Sequence, residues 1–179
     1  MDLLYKNPRY FYETYFGIPL SQLVLGCMMT SCVVCMICSC LKKRRSILWI
    51  TSSGVYITIL LVVTLINPNR VDTRGIVFNP LVHFNRIITG NAHYIRETLS
   101  NILLYIPLGV IIASESKRIN CCIIWLLITS AFIESFQFIF SRGCCEVPDV
   151  VANVAGGAIG FALMRVLINY LQKNNKETI

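Results

Sequence analysis

Two apolar runs in the second half of the chain carry polar side chains that could take part in chemistry. Glu134 and Gln137 lie one helical turn apart in the first run, and Asp149 and Asn153 begin the second. A carboxylate at bilayer depth costs about 2.5–3.5 kcal/mol on insertion scales, so its presence indicates a packing or functional role. If these side chains converge, they form either a binding site for a polar ligand or a pair of carboxyl groups able to act as acid and base.

Three further polar residues are predicted to join this group. Glu97 and Asn101 are four residues apart and therefore lie on one face of a helix. Arg142 follows the run that contains Glu134, and we expect it to pair with Glu134 or Asp149 because unpaired charges are costly at this depth. The predicted ligand-binding pocket is lined by Glu97, Asn101, Glu134, Gln137, Arg142, Asp149 and Asn153.

The composition of the chain indicates an integral membrane protein. Of its 179 residues, 55% are hydrophobic and only 14% are charged, with a mean hydropathy of +0.65, which is too apolar for a water-facing surface. The net charge of +7 does not indicate nucleic-acid binding, since the basic residues cluster at the ends of apolar runs and the chain lacks a glycine-rich phosphate loop, zinc-finger spacing and an aromatic-basic platform. The expected surroundings are therefore a lipid bilayer, and no nucleic-acid partner is predicted.

The apolar runs predict an all-α, polytopic membrane helix bundle of about five transmembrane helices. The predicted spans are residues 20–41, 47–66, 99–114, 121–140 and 150–170. The four adjacent cations of residues 42–45 place the first connection in the cytoplasm, so the N-terminus is expected outside and the C-terminus inside. Four arginines in the connection 67–97 oppose this trend, and a bundle of four spans with an unusual first run is the alternative.

The predicted organisation has three parts. Residues 1–19 form an aromatic-rich interfacial segment, for which a disordered tail is the alternative. Residues 20–171 form the transmembrane bundle, and residues 172–179 form a cytoplasmic tail.

Helix packing is expected to depend on Pro107, which should kink the third span, and on small residues that let helices approach closely. The small residues are Gly109, Gly156, Gly157 and Gly160.

The cysteines and histidines do not predict a metal site or any other cofactor. Cys32, Cys35 and Cys38 have a CxxC-like spacing, but cysteine is a small residue at home in membrane helices, and neither histidine is near them. His83 and His93 lie in the polar connection without a matching third ligand, and we therefore predict them to be surface residues.

The ordered set of motifs from about residue 97 to residue 160 resembles the VanZ-like family of small membrane proteins. The segment 101–109 resembles the family's asparagine–apolar–Pro-x-Gly motif, and Glu134 with Gln137 resembles its Glu-x-x-Gln pair. The chain departs from the family pattern in its acidic loop, where Pro148 occupies a place that is often acidic and the pair 144–145 is two cysteines. The family's arginine, acidic-loop and Asn-x-x-Gly-Gly pattern is matched by Arg142, Asp149, Asn153, Gly156, Gly157 and Gly160. The VanZ-like region is expected to cover about residues 67–171.

The resemblance implies a multi-pass protein of the bacterial cell membrane that lowers susceptibility to teicoplanin-type glycopeptides. Its pocket would lie near the outer leaflet and bind a lipid headgroup, a lipid-linked cell-wall precursor or a glycopeptide. One alternative is an intramembrane enzyme acting on a lipid-linked or phosphate-bearing substrate, with Glu134 and Asp149 as acid and base. Another is that the polar side chains only hold helices together. A non-enzymatic role is favoured because the sequence contains no serine- or histidine-based nucleophile motif.

Overall fold

The computed structural model of the chain describes residues 20–41, 46–65, 75–140 and 144–177. These residues form a helical bundle, which confirms the predicted all-α fold class. The aromatic segment 1–19, the basic cluster 42–45 and Arg142 lie outside the described residues. The elements in chain order are α1 Leu20–Cys40, α2 Ile47–Leu65, β1 Ile76–Val77, α3 Val82–Ile88, α4 Ala92–Glu115, α5 Ile119–Ile139, β2 Cys145–Glu146 and α6 Val147–Glu177.

Four helices are long and apolar enough to cross a membrane. They are α2, α4, α5 and α6, and α1 adds a shorter apolar stretch, Cys27–Cys40. Helix α4 begins at Ala92, before the predicted start of its span, because Asn91 caps its first turn by accepting a 3.1 Å hydrogen bond from the backbone N of His93. Helix α6 continues past the predicted end of its span to Glu177. The orientation of the bundle in the membrane stays a prediction.

Helices α4 and α6 make the most extensive helix–helix contact in the bundle. Glycines allow this contact, since an added Cβ would collide with the backbone of the opposite helix at three places. The three contacts pair Gly156 with the carbonyl of Ile102, Gly160 with the carbonyl of Ile106, and Gly109 with the carbonyl of Gly157. Gly157 also packs against the side chain of Leu126 on α5. The site residues Asn101, Asp149 and Asn153 thus lie on two helices held at backbone contact.

Helices α1 and α2 pack beside this central pair. Tyr56 of α2 donates a 2.7 Å hydrogen bond from its hydroxyl to the carbonyl of Leu104 on α4, in the turn before the buried Pro107. This hydrogen bond connects α2 to α4. The three cysteines with CxxC-like spacing are buried free thiols, and Cys35 Sγ lies 3.4 Å from Ser53 Oγ on α2.

The two polar connections meet at one end of the bundle. Strand β1, between α2 and α4, pairs in parallel with β2, between α5 and α6, and Val77 lies opposite Glu146. The backbone N of Cys145 donates a 2.9 Å hydrogen bond to the carbonyl of Gly75. Helix α3 follows β1 and packs against α4. This pairing brings α3 to the place where α5 ends and α6 begins.

Candidate functional site

Glu134 is buried near the end of α5, with an exposed fraction of 3%. Its Oε2 accepts a 3.0 Å hydrogen bond from the backbone N of Glu146. A hydrogen bond to a carboxylate offsets part of the cost of its burial. Glu134 therefore fixes β2, and with it Glu146, against α5.

The amide side chains of Gln137 and Asn153 connect the helices around Glu134. Gln137 Nε2 donates a 2.8 Å hydrogen bond to the carbonyl of Thr64 at the end of α2. Asn153 Nδ2 donates a 2.8 Å hydrogen bond to Ser130 Oγ on α5. These contacts hold α2, α5 and α6 together at the end of the bundle that carries the site.

His83 lies at the centre of this end of the bundle, and it is only 4% exposed. Its Nε2 is 2.8 Å from Glu146 Oε2, its Nδ1 is 3.5 Å from Asp149 Oδ1, and its ring packs against Tyr94 with 4.9 Å between centroids. The prediction of a surface position is therefore wrong for His83. It is confirmed for His93, whose side chain is 76% exposed.

Asp149 occupies the first turn of α6 and is buried beneath His83. A carboxylate at this position also meets the positive end of the helix dipole. Glu146 in β2 and Asp149 in α6 are three residues apart. Because α6 begins directly after β2, both carboxylates lie near the same imidazole. The three side chains offer one ligand atom each, and these atoms all lie within 4.8 Å of one another. An imidazole with two carboxylates is a donor set that divalent transition metals accept.

The electrostatic character of the site is negative. The pKa of the Cys145 thiol is raised by burial and, to a smaller extent, by the carboxylates of Glu134 and Glu146. Glu134, Glu146 and Asp149 bring three carboxyl groups to this end of the bundle, and their oxygens accept hydrogen bonds when ionised. A ligand that binds at this end of the bundle must therefore bring hydrogen-bond donors or positive charge.

Two amide atoms of the predicted pocket are among the buried polar atoms that make no hydrogen bond within the described parts of the chain. They are Asn101 Nδ2 on α4 and Asn153 Oδ1 on α6. A buried polar group without a partner is costly, so such atoms often mark a place for water or for a ligand. One donor and one acceptor are thus available inside the helix pair that supports the site.

The remaining two residues of the predicted pocket are Glu97 and Arg142. Glu97 is partly exposed on α4, and its Oε2 lies 3.6 Å from Nδ1 of His93, one turn earlier. Arg142 lies outside the described residues, so its expected pairing with Glu134 or Asp149 stays a prediction.

The sequence interpretation missed His83 and Glu146 as site residues. Glu146 carried a signal, since it stands three residues before Asp149 in the acidic loop. The sequence around His83 gave no such indication, because His83 lies 63 residues from Glu146 in the chain and the two residues meet only in the folded bundle.

Comparison with known proteins identifies the relatives of this chain. The VanZ/LLP1 family model matches residues 32–168, which include His83, Glu134, Glu146 and Asp149. Protein VanZ of Enterococcus faecium is 34% identical over 93 residues, or 51% of this chain and 56% of that protein, so the similarity spans little more than half of the relative's length. No solved structure matches the chain. Since the family model covers well over half of its residues, this multi-pass membrane protein belongs to the VanZ/LLP1 family.

Proposed function

We propose that the protein acts in the bacterial cell membrane, where it lowers susceptibility to teicoplanin-type glycopeptides by binding the polar part of a lipid or of a lipid-linked cell-wall precursor. The observation that carries the proposal is the convergence of three carboxylates with His83 at one end of the bundle, where Glu134 and Asp149 are buried and Glu146 is partly buried. Glu134 comes from α5, Glu146 from β2 and Asp149 from α6. Burying charged groups costs free energy, so ionisable residues that are kept in a membrane bundle often mark a functional site.

The chemistry of the site favours a headgroup rich in hydrogen-bond donors. Carboxylates accept hydrogen bonds from hydroxyl, amide and ammonium groups, and these are the groups that a sugar–peptide headgroup presents. The ends of membrane-spanning helices lie near the lipid headgroups, so a lipid-linked precursor would reach the site without leaving the bilayer. Family membership and the similarity to Protein VanZ support the assignment to this class of membrane protein.

The proposal is tested by removing one charge from the site. Glu134→Gln keeps a side-chain oxygen able to accept the hydrogen bond from Glu146 N, but it removes the charge. We expect cells that carry this variant to lose the decreased susceptibility to teicoplanin and to bind more labelled antibiotic. Glu115→Gln is the matched control, because Glu115 is exposed at the other end of α4. Equal protection by wild type and Glu134→Gln, at equal amounts in the membrane, would refute the proposal.

An intramembrane enzyme is the second candidate, and the position of His83 between two carboxylates favours it. Histidine held by carboxylates is a common general acid–base arrangement. The purified protein would then convert a polyprenyl-linked or phosphate-bearing lipid to product, and His83→Ala would abolish turnover. Binding without turnover by the wild-type protein would exclude this candidate and leave the binding function.

A further inference from the structure

His83, Glu146 and Asp149 form a compact set of possible metal ligands on three separate elements, α3, β2 and α6. Their ligand atoms lie within 4.8 Å of one another. Two atoms bound to one Zn²⁺ ion, each at about 2.0–2.2 Å, are at most about 4.4 Å apart, so the side chains need to move only a little to share an ion. We propose that these three residues hold one divalent transition-metal ion of the Zn²⁺ or Mn²⁺ type. This proposal does not depend on the proposed function.

The hydrogen bonding of His83 supports a cation at this place. Its Nδ1 is buried and makes no hydrogen bond to any residue that the structure describes, although Asp149 Oδ1 is only 3.5 Å away. A neutral imidazole carries one N–H, so its other ring nitrogen keeps a lone pair that a metal ion can bind. A divalent ion bound there would also balance the negative charges of Glu146 and Asp149.

The surroundings of the three residues are those of a built site. The hydrogen bond from Glu146 N to Glu134 and the pairing of β2 with β1 fix the position of Glu146. The Tyr94 ring, 4.9 Å from the His83 ring between centroids, restricts the imidazole. Such supporting contacts orient metal ligands and raise affinity.

The donor set also indicates the class of metal. A histidine nitrogen with two carboxylates suits Zn²⁺, Mn²⁺ or Fe²⁺, whereas Ca²⁺ and Mg²⁺ prefer sites made only of oxygen ligands. Three protein ligands leave at least one coordination position, which a water molecule or an oxygen atom of a ligand would fill.

Metal binding is measured on the purified full-length protein in detergent after treatment with a chelator. Equilibrium dialysis against ZnCl₂, with the metal quantified by mass spectrometry, should give one tightly bound ion per chain for the wild type. His83→Ala and Asp149→Asn should weaken binding at least about 10-fold, the scale on which even supporting contacts act at metal sites. The control is His93→Ala, which changes the other histidine and should bind like the wild type. Wild-type protein that binds no ion, or equal affinity in folded His83→Ala, would overturn the proposal.

The cysteines beside Glu146 require a second measurement, because thiolates also bind zinc. A variant that carries both Cys144→Ser and Cys145→Ser should keep the ion. X-ray absorption of the zinc-loaded wild type should show nitrogen and oxygen ligands at about 2.0–2.2 Å and no sulfur at about 2.3 Å. A sulfur shell, or loss of the ion in the double variant, would assign the metal to the cysteines and overturn the proposal. The spectrum is recorded on the wild type, so it decides the question even where His83→Ala fails to fold.

Discussion

At the scale of single residues, Glu134 combines two properties that substitutions can separate. One is its negative charge, and the other is its hydrogen bond with the backbone N of Glu146. Glutamine removes the first and keeps an acceptor for the second, whereas leucine removes both. We expect Glu134→Leu to be less stable than Glu134→Gln by about 0.5–1.5 kcal/mol, the net contribution of one hydrogen bond. Unfolding of the two variants in detergent, followed by circular dichroism, measures the difference, and equal stability would show that the hydrogen bond contributes little.

The residues of the site differ in how far the sequence could identify them. Glu134 and Asp149 were identifiable because a carboxylate in or beside an apolar run is rare and costly wherever the chain folds. His83 was not, because a histidine in a polar connection is ordinary, and nothing near it in the chain shows that it is buried. The residues around a carboxylate in the sequence show that placing it in the membrane costs free energy. They do not show which side chains from distant segments will contact it.

At the scale of elements, the contact between α4 and α6 depends on residues that have no side chain. A Cβ at Gly156 would collide with the backbone of Ile102, which cannot move without displacing α4. Gly156→Ala is therefore expected to separate the helices and to destabilise the bundle by about 1–3 kcal/mol. Gly54→Ala is the control, because Gly54 lies inside α2 with open space where its Cβ would be, and alanine is the better helix former. The same unfolding measurement should show a loss for Gly156→Ala alone, and equal effects of the two substitutions would contradict the close approach of α4 and α6.

The helices were largely predictable from the sequence, whereas the short strands were not. An apolar run of about 20 residues fixes a membrane helix by its own length, so the predicted spans correspond to α1, α2, α4, α5 and α6. The start of α4 was placed too late because hydropathy falls at Arg96 and Glu97, while the helix itself continues back to its cap at Asn91. Strands β1 and β2 have two residues each, too few for any alternating pattern, and their pairing depends on the whole bundle.

At the scale of the whole molecule, the site is assembled by connections rather than by the spans alone. The segment with β1 and α3 and the segment with β2 meet at the same end of the bundle, and His83 contacts Glu146 across 63 residues of sequence. Helix α6 begins at this end and is long enough to cross the membrane. If α6 crosses the membrane, its last residue, Glu177, lies on the opposite side of the membrane from the site.

The side of the membrane on which the C-terminus lies therefore shows which compartment the site faces. The positive-inside rule predicts a cytoplasmic C-terminus, which places His83, Glu146 and Asp149 on the outer side. Green fluorescent protein fused to the C-terminus of the full-length chain should then fluoresce, because it folds in the cytoplasm, and alkaline phosphatase fused at the same position should be inactive. The two reporters act as controls for each other, since each is active on only one side. An active phosphatase with a dark fluorescent protein would place the site on the cytoplasmic side, where it could not meet a glycopeptide or an externally displayed precursor, and the proposed role in glycopeptide susceptibility would then be wrong.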